Sequence, residues 1–313
     1  MRRPPELLAA LADAPAPLKA ALLALGATFF FAMMTTLIRY VSQDLHAFQI
    51  VFFRNLFALV WMVPWLMKRG LGVMRTERIG MYSLRGAISW VAMTASFSAY
   101  TLIPLTEATA LSFTAPLFAT VGAALFLGEV VRLRRWTAII VGFLGTMIIL
   151  QPGAQAISLG AALMLGSAIF QATNKLVLKS LARTENPESI VTYMVLFLTP
   201  LSAIPAFFFW REPPLEALLW MGVLAGVGTL AHICLSRAYA LADVTVVLPF
   251  DFGRLPFVAG LGFVIFAEVP TIWTWVGAAV IFSSTFYIAR REAQLSKQKR
   301  AAAAAAMPAA AGD

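Results

Sequence analysis

Long runs of apolar residues recur along the whole chain, separated by short segments that carry proline, glycine or charge. The first run, LKAALLALGATFFFAMMTTLI, occupies residues 18–38. A helix that crosses a bilayer needs about 20 apolar residues, because it rises about 1.5 Å per residue through a hydrocarbon layer about 30 Å thick. The pattern therefore predicts a membrane-spanning helix over this run.

Nine further runs of the same kind follow, and the connectors between them are too short to fold as soluble domains. The ten predicted spans are 18–38, 47–67, 79–103, 106–128, 134–151, 157–178, 189–210, 215–236, 244–266 and 271–289. Two arginines precede the first span, as in a signal peptide, but the apolar block is longer than a signal sequence and no small-residue cleavage site follows it. We therefore expect a retained first helix.

Two segments 139 residues apart resemble each other, GEVVRLRRW at 128–136 and AEVPTIWTW at 267–275. The acid, the following valine and the tryptophan are shared, while the three arginines are replaced by threonine and tryptophan. A repeated unit of five spans explains the difference, because five is odd and the second copy enters the membrane inverted. The predicted organisation is an N-terminal cytoplasmic segment (1–17), a first repeat (18–151), a second repeat (157–290) and a basic, then alanine-rich disordered cytoplasmic tail (291–313).

Composition and charge support this topology. The chain is 60% hydrophobic and 12% charged, whereas a soluble domain has about 25% charged residues. With the N-terminus in the cytoplasm, eighteen of the 24 Lys and Arg residues lie on the cytoplasmic side, as the positive-inside rule requires. Two lie outside, Arg39 and Arg211, and four lie within spans, Arg54, Arg85, Lys175 and Arg254. The net charge of +9 thus follows from topology, and no nucleic-acid partner is predicted.

Several stretches are similar to a known family of transporters, among them LHAFQIVFFRN (45–55), AYTLIPLTEATALSFTAPLF (99–118), SRAYALADVTVVLPFDFGRLPF (236–257) and FAEVPTIWTWVGAAVIF (266–282). Over residues 20–290 the chain resembles the EamA family of the drug/metabolite transporter superfamily, and its first half resembles relatives that include S-adenosylmethionine importers. The resemblance implies ten helices in two inverted repeats around a central cavity, and secondary transport of a small metabolite. It also implies one departure, because this chain has Met34, Thr35 and Thr36 where such importers often have an Asn-Asp pair.

The stretch LPFDFGRLPF at 248–257 carries the strongest candidate site. Arg254 is about 15 Å into its span by the rise of a helix, and Asp251 precedes it by three residues, so that both share one helix face and can pair. Ionisable residues at this depth are functional candidates. The alternative is an internal salt bridge that only holds the helix to its neighbours.

Arg54, about 10 Å into the second span, is the next candidate for binding a carboxylate or phosphate. Its alternative role is a hydrogen bond to backbone carbonyls of a neighbouring helix. Three aromatic residues, Tyr100, Tyr239 and Phe250, are predicted to line the cavity and stack on a planar solute. Glu129 is expected to pair with Arg132, and Glu268 has no obvious partner.

Other functional classes lack their motifs. The chain has no HExxH, GxSxG or Walker A sequence, which argues against an enzyme or a primary pump, and no cofactor or metal site is predicted. The single cysteine, Cys234, lies inside a span, so no intramolecular disulfide can form. We predict an all-α membrane protein of the inner membrane, with ten transmembrane helices in two inverted repeats, that transports a small metabolite. Amino-acid derivatives, nucleoside-like solutes and flavins fit, and a homodimer is allowed. The alternative is a non-transporting structural or sensory membrane protein of the same fold.

Overall fold

The computed structural model of the protein describes residues 16–69, 76, 78–126, 133–151, 157–181, 187–241, 247 and 250–306. Within these ranges the secondary structure is helical, with no strands, and the prediction of an all-α protein is confirmed. The segments joining the fourth and fifth predicted spans, including Glu129 and Val131, lie outside the described residues, as does Tyr239 beyond its backbone.

Eleven helices are described, and they follow the predicted spans in order. They are α1 (Ala16–Val41), α2 (Ala47–Arg69), α3 (Ile79–Leu102), α4 (Leu105–Ser112), α5 (Ala115–Phe126), α6 (Leu133–Leu150), α7 (Leu159–Leu181), α8 (Pro187–Phe208), α9 (Leu215–Leu241), α10 (Arg254–Phe266) and α11 (Ile272–Ala306). By length and hydropathy alone, two described stretches are able to cross a membrane, Leu18–Val41 and Leu215–Leu235, and shorter apolar helices accompany them.

Three elements differ from the prediction. The fourth span, 106–128, is divided into α4 and α5, and the ninth, 244–266, is interrupted by a turn at 252–253. The C-terminal helix α11 continues through the basic segment to Ala306, where a disordered tail is predicted. Alanine has the highest helix propensity of all residues, so the run of alanines at 301–306 continues a helix that is already formed. The tail is therefore helical as far as Ala306.

Three threonine hydroxyl groups on α1 are satisfied within the helix. Thr35 and Thr36 both donate hydrogen bonds to the backbone carbonyl of Ala32, at 2.9 and 2.8 Å, and Thr28 donates to the carbonyl of Ala24. In hydrocarbon an unpaired polar group is costly, and this back-bonding within one helix removes the cost. These threonines are thus compatible with a membrane-buried α1.

Close packing between α6 and α11 depends on two glycines. A Cβ at Gly277 would lie 2.6 Å from the carbonyl oxygen of Gly145, and a Cβ at Gly145 would lie 2.9 Å from the carbonyl oxygen of Gly277. Only hydrogen fits at either position, so the two backbones touch. Small residues allow such approach in membrane helices, where dispersion contacts replace the hydrophobic effect.

Large apolar side chains also cover the outside of the bundle. Val60, Leu219, Phe207 and Val264 are 59%, 65%, 77% and 78% exposed. Large apolar patches are rare on soluble monomers, so this many exposed apolar side chains indicate contact with a membrane or partner. The main buried cluster lies inside the bundle and draws on residues from both halves of the chain, including Ile38, Leu105, Met164 and Met221.

Candidate functional site

Two interruptions of helical structure occur at comparable places in the two halves. The chain forms a turn at residues 113–114, between α4 and α5, and another at 252–253, just before α10. Each turn is followed within four residues by a proline, Pro116 in the first half and Pro256 in the second. Proline has no backbone N–H and its ring clashes with the carbonyl four residues earlier, which accounts for a break at each point.

The two breaks touch each other through Arg254. Its Nη2 donates a hydrogen bond of 3.1 Å to the Ser112 hydroxyl, and the guanidinium carbon lies 5.1 Å from the centroid of the Phe113 ring. The Phe113 ring is itself 4.4 Å from the Phe252 ring. The Arg254 Nε is buried and has no hydrogen-bond partner among the described residues. Arg254 therefore keeps unused hydrogen-bonding capacity at the contact between the two halves.

The predicted ion pair of Asp251 with Arg254 is not among the ion pairs of the described residues. The spacing of three residues brings side chains together only on a continuous helix, and here the turn at 252–253 lies between them. Tyr100 is close enough to interact electrostatically with both Arg254 and Asp251. Three of the six predicted site residues, Asp251, Arg254 and Tyr100, thus lie in one region. Together with Ser112, Phe113 and Phe252 they form what we call the break site.

Phe250 contacts α1 and α9. Its ring packs against a small cluster formed by Ala24, Ala238 and Val247, and its carbonyl accepts a hydrogen bond of 3.1 Å from the Thr28 hydroxyl. The side chain of Tyr239, on α9, is outside the described residues. Through its backbone carbonyl, Phe250 thus links α1 to the segment that precedes the second break.

Arg54 faces α9. It is 7% exposed, and its Nη1 donates a hydrogen bond of 3.1 Å to the Asn55 side-chain oxygen. A Cβ at Gly228 of α9 would lie 4.0 Å from the Arg54 Nη2 and 3.0 Å from the Met34 sulfur. Within the described part of the chain no carboxylate is at ion-pair distance from Arg54. This guanidinium is therefore a buried cation without a counter-ion of its own.

A charged clamp that the sequence does not predict joins the two halves. Arg39 forms an ion pair of 3.0 Å with Glu268, and its Nη1 donates to the backbone carbonyls of Tyr100 and Ile103 at 3.0 and 2.7 Å. The second carboxylate oxygen of Glu268 accepts the Leu105 backbone N–H at 2.9 Å. The pair thus satisfies the carbonyl end of α3 and the amide end of α4 together. The sequence contains one indication of this ion pair, because the predicted topology puts Arg39 and Glu268 on the same side of the membrane.

A cavity of about 390 Å³ opens at the same end of the bundle. His46 and Arg211 line it, and the His46 ring stacks on Phe209 with centroids 4.7 Å apart and an angle of 11°. Burial, and secondarily the Arg211 charge, lower the pKa of His46 below its ordinary value. This cavity is separate from the break site, since they share no lining residue.

Comparison with known proteins agrees with the fold. Residues 18–151 and 158–290 each match the EamA-like transporter family. A riboflavin transporter of Vibrio cholerae is 34% identical over 91% of this chain and 97% of its own length. An S-adenosylmethionine uptake transporter of Rickettsia bellii is 29% identical over 83% of this chain and 90% of its own length. One solved crystal structure, 18% identical, matches 87% of this chain and 98% of its own with a TM-score of 0.60, which supports the fold alone.

The two family matches together cover most of the chain, and the curated relatives match over nearly their whole length. The chain therefore belongs to the EamA-like transporter family and is an integral membrane transporter of a small metabolite.

Proposed function

We propose that the protein is a secondary transporter of the inner membrane that moves a planar metabolite by alternating access between two inverted halves. The observation that carries this proposal is the contact of the two helix breaks through Arg254, Ser112 and Phe113. Secondary transporters built from inverted repeats bind substrate where interrupted helices of the two repeats meet. An arginine with a free Nε at that point supplies a donor for a solute.

The pattern of helix contacts supports the repeat. Exchanging the halves relates α1 to α7, α2 to α8, α3 to α9, α4 and α5 to α10, and α6 to α11. Under this exchange the contact of α1 with α9 becomes that of α7 with α3, and both are extensive. The contact of α2 with α9 likewise becomes that of α8 with α3, and the contact of α1 with α10 becomes those of α7 with α4 and α5. Such correspondence is expected of a two-fold arrangement.

A topology experiment tests the inversion. Single cysteines at Val131 and Thr271, in a Cys234→Ser background without other thiols, should react with an impermeant thiol reagent from opposite faces of the membrane. Both termini are expected in the cytoplasm. Labelling of both cysteines from one face would contradict the inverted arrangement, whichever solute is transported.

The substrate class that we favour is a flavin, with nucleoside-like solutes such as S-adenosylmethionine next. The riboflavin transporter of Vibrio cholerae is the relative that matches over the largest part of this chain among those described above. Rings at the break site are suited to a planar solute, because Phe113 and Phe252 lie beside the Arg254 guanidinium, and both aromatic and guanidinium planes stack on flat rings. Amino-acid derivatives with an apolar part also fit, whereas simple sugars fit less well.

Uptake of labelled riboflavin into proteoliposomes tests the proposal. Saturable uptake that unlabelled riboflavin inhibits is the expected result, with S-adenosylmethionine and glucose as competitors that distinguish the solute classes. Saturable transport of a neutral sugar alone would refute the substrate class. If none of these solutes were transported or bound, a structural or sensory role would be favoured.

The double variant Asp251→Asn/Arg254→Gln tests the break site. Both charges are removed while side-chain volume is roughly kept, so no uncompensated buried charge remains. The variant should insert and fold but lose riboflavin binding. A matched control, Arg211→Gln/Glu216→Gln, neutralises two charges in exposed residues and should transport normally. Normal transport by the folded Asp251/Arg254 variant would move the site elsewhere, first to Arg54.

A further inference from the structure

His232 is exposed although it lies on the buried face of its helix. The buried residues Met221 and Gly228 precede it by eleven and four residues, the spacings of one helix face. The apolar residues that face outward on α9 include Val223 and Leu230, which are 45% and 47% exposed. Val223 is nine residues away, about two and a half turns, and therefore on the opposite side. The surface that His232 exposes is thus directed into the bundle, away from lipid.

The space that His232 faces is bordered by α1 and α2. The Phe31 ring of α1 lies 5.1 Å from the imidazole in an edge-to-face arrangement, and Phe31 itself is only 9% exposed. Arg54 of α2 is close enough to interact electrostatically with the imidazole. Ionisable groups at mid-membrane almost always face the bundle interior or a hydrated cavity. The exposed imidazole and the buried guanidinium therefore border one internal space.

Gly228 brings α9 close to Met34 and Arg54. It is one turn before His232 on the same face, and a Cβ there would be 3.0 Å from the Met34 sulfur and 4.0 Å from Arg54 Nη2. The 4.0 Å distance is an ordinary van der Waals separation, so Arg54 Nη2 lies beside this turn of α9. The Arg54 charge has no carboxylate partner within the described residues, and its one side-chain hydrogen bond is to the Asn55 amide oxygen. Among the described residues, the other donors of the guanidinium have no hydrogen-bond partner.

We propose that His232 and Arg54 form a second polar contact for the transported solute and bind a hydrogen-bond acceptor of that solute, a ring carbonyl or a carboxylate. This inference rests on the proposed function, since it assumes that a solute occupies the space between the halves. Arg54 supplies charged N–H donors in a plane, and the imidazole adds a ring nitrogen that donates or accepts. No residue of either helix break takes part in this second contact.

The distance to the break site fits one solute molecule. Thr28 of α1 contacts the chain at Phe250, and Met34, six residues later, contacts Gly228 and so reaches the Arg54 side. Six residues of helix span about 9 Å, which is comparable with the length of a fused ring system. A solute is thus able to touch Arg254 with one end and the His232–Arg54 pair with the other.

Cysteine accessibility tests whether His232 faces a hydrated internal space. In the Cys234→Ser background, His232→Cys should react with a charged methanethiosulfonate reagent about tenfold faster than Val223→Cys, because a thiol in lipid forms little thiolate. Val223 is on the same helix as His232, on its opposite and outward-directed face. Equal rates for the two cysteines would overturn the inference.

Modification of the native imidazole tests contact with solute. The chain has two histidines, so His46→Gln leaves His232 as the only imidazole that diethyl pyrocarbonate modifies. Riboflavin or S-adenosylmethionine at ten times its Kd should slow this modification about tenfold, as occupancy requires. If wild type transports a solute that gives no protection, the inference is wrong and the proposed function stands. If neither solute is transported or bound, the proposed function falls and the inference falls with it.

Discussion

The clamp of Arg39 and Glu268 allows a quantitative prediction, because the two substitutions Glu268→Gln and Glu268→Ala remove different parts of it. The glutamine keeps an oxygen that accepts the Leu105 N–H, now 2.9 Å from the carboxylate, but loses the charge that pairs with Arg39 at 3.0 Å. The alanine loses both interactions. We therefore expect Glu268→Ala to destabilise the protein more than Glu268→Gln.

The magnitudes follow from the exposure of the pair. The side chains of Arg39 and Glu268 are 26% and 15% exposed, so solvent screens the ion pair in part and its loss should cost about 1 kcal/mol. A hydrogen bond to a charged group contributes about 1.5–3 kcal/mol. Since the alanine variant loses this bond as well as the ion pair, Glu268→Ala should cost about 2.5–4 kcal/mol. In a double-mutant cycle with Arg39→Gln, the coupling free energy between the two sites should be about 1 kcal/mol.

Denaturation of the purified protein in detergent measures these differences, with unfolding followed at fixed detergent concentration. Glu216→Ala is the matched control, since Glu216 is an exposed acid whose carboxylate is 3.5 Å from the Tyr40 hydroxyl. That variant should unfold like the wild type. Equal stability of Glu268→Ala and Glu216→Ala, or zero coupling between Arg39 and Glu268, would refute the clamp.

Two further predictions concern packing and pH. Gly277→Ala should destabilise the protein by about 1–3 kcal/mol, because its Cβ would lie 2.6 Å from the Gly145 carbonyl oxygen. The control Gly260→Ala should be tolerated, since no atom lies within 4 Å of the added Cβ. Equal melting temperatures of the two variants would contradict the close contact of α6 and α11. Since burial lowers the pKa of His46, the unfolded state takes up a proton first as pH falls below about 6.5, and stability declines there. Wild type should therefore lose more thermal stability than His46→Gln between about pH 7.5 and 5.5, and identical losses would exclude this histidine as a cause.

Helix positions and the class of protein followed from the sequence because they depend on local properties. The first apolar run at 18–38 contains enough residues to span a bilayer, and it lies within α1, Ala16–Val41. Side-chain hydropathy decides this outcome without reference to distant parts of the chain. The resemblance to the EamA family was equally available from local stretches of sequence, and the matches over 18–151 and 158–290 bear it out.

The break site was only partly predictable. Proline and glycine surround Asp251 and Arg254, and such residues interrupt helices. The pairing of the two charges, however, follows only from a spacing that holds for a continuous helix. The turn at 252–253 separates them, and Arg254 instead reaches Ser112, 142 residues away. The packing of the two halves determines this partner, and no local sequence pattern encodes that packing.

The remaining contacts were decided by tertiary structure alone. Glu268 had no partner in its own segment, and Arg39, which binds it, belongs to the first helix of the other half. In the sequence, His232 is one of many residues in an apolar run. Only the packing of α1, α2 and α9 places it beside Phe31 and near Arg54. Hydropathy determines which segments enter the membrane, because lipid interacts with each helix separately. Which polar groups meet inside depends on the mutual orientation of helices, because each such contact needs two distant segments.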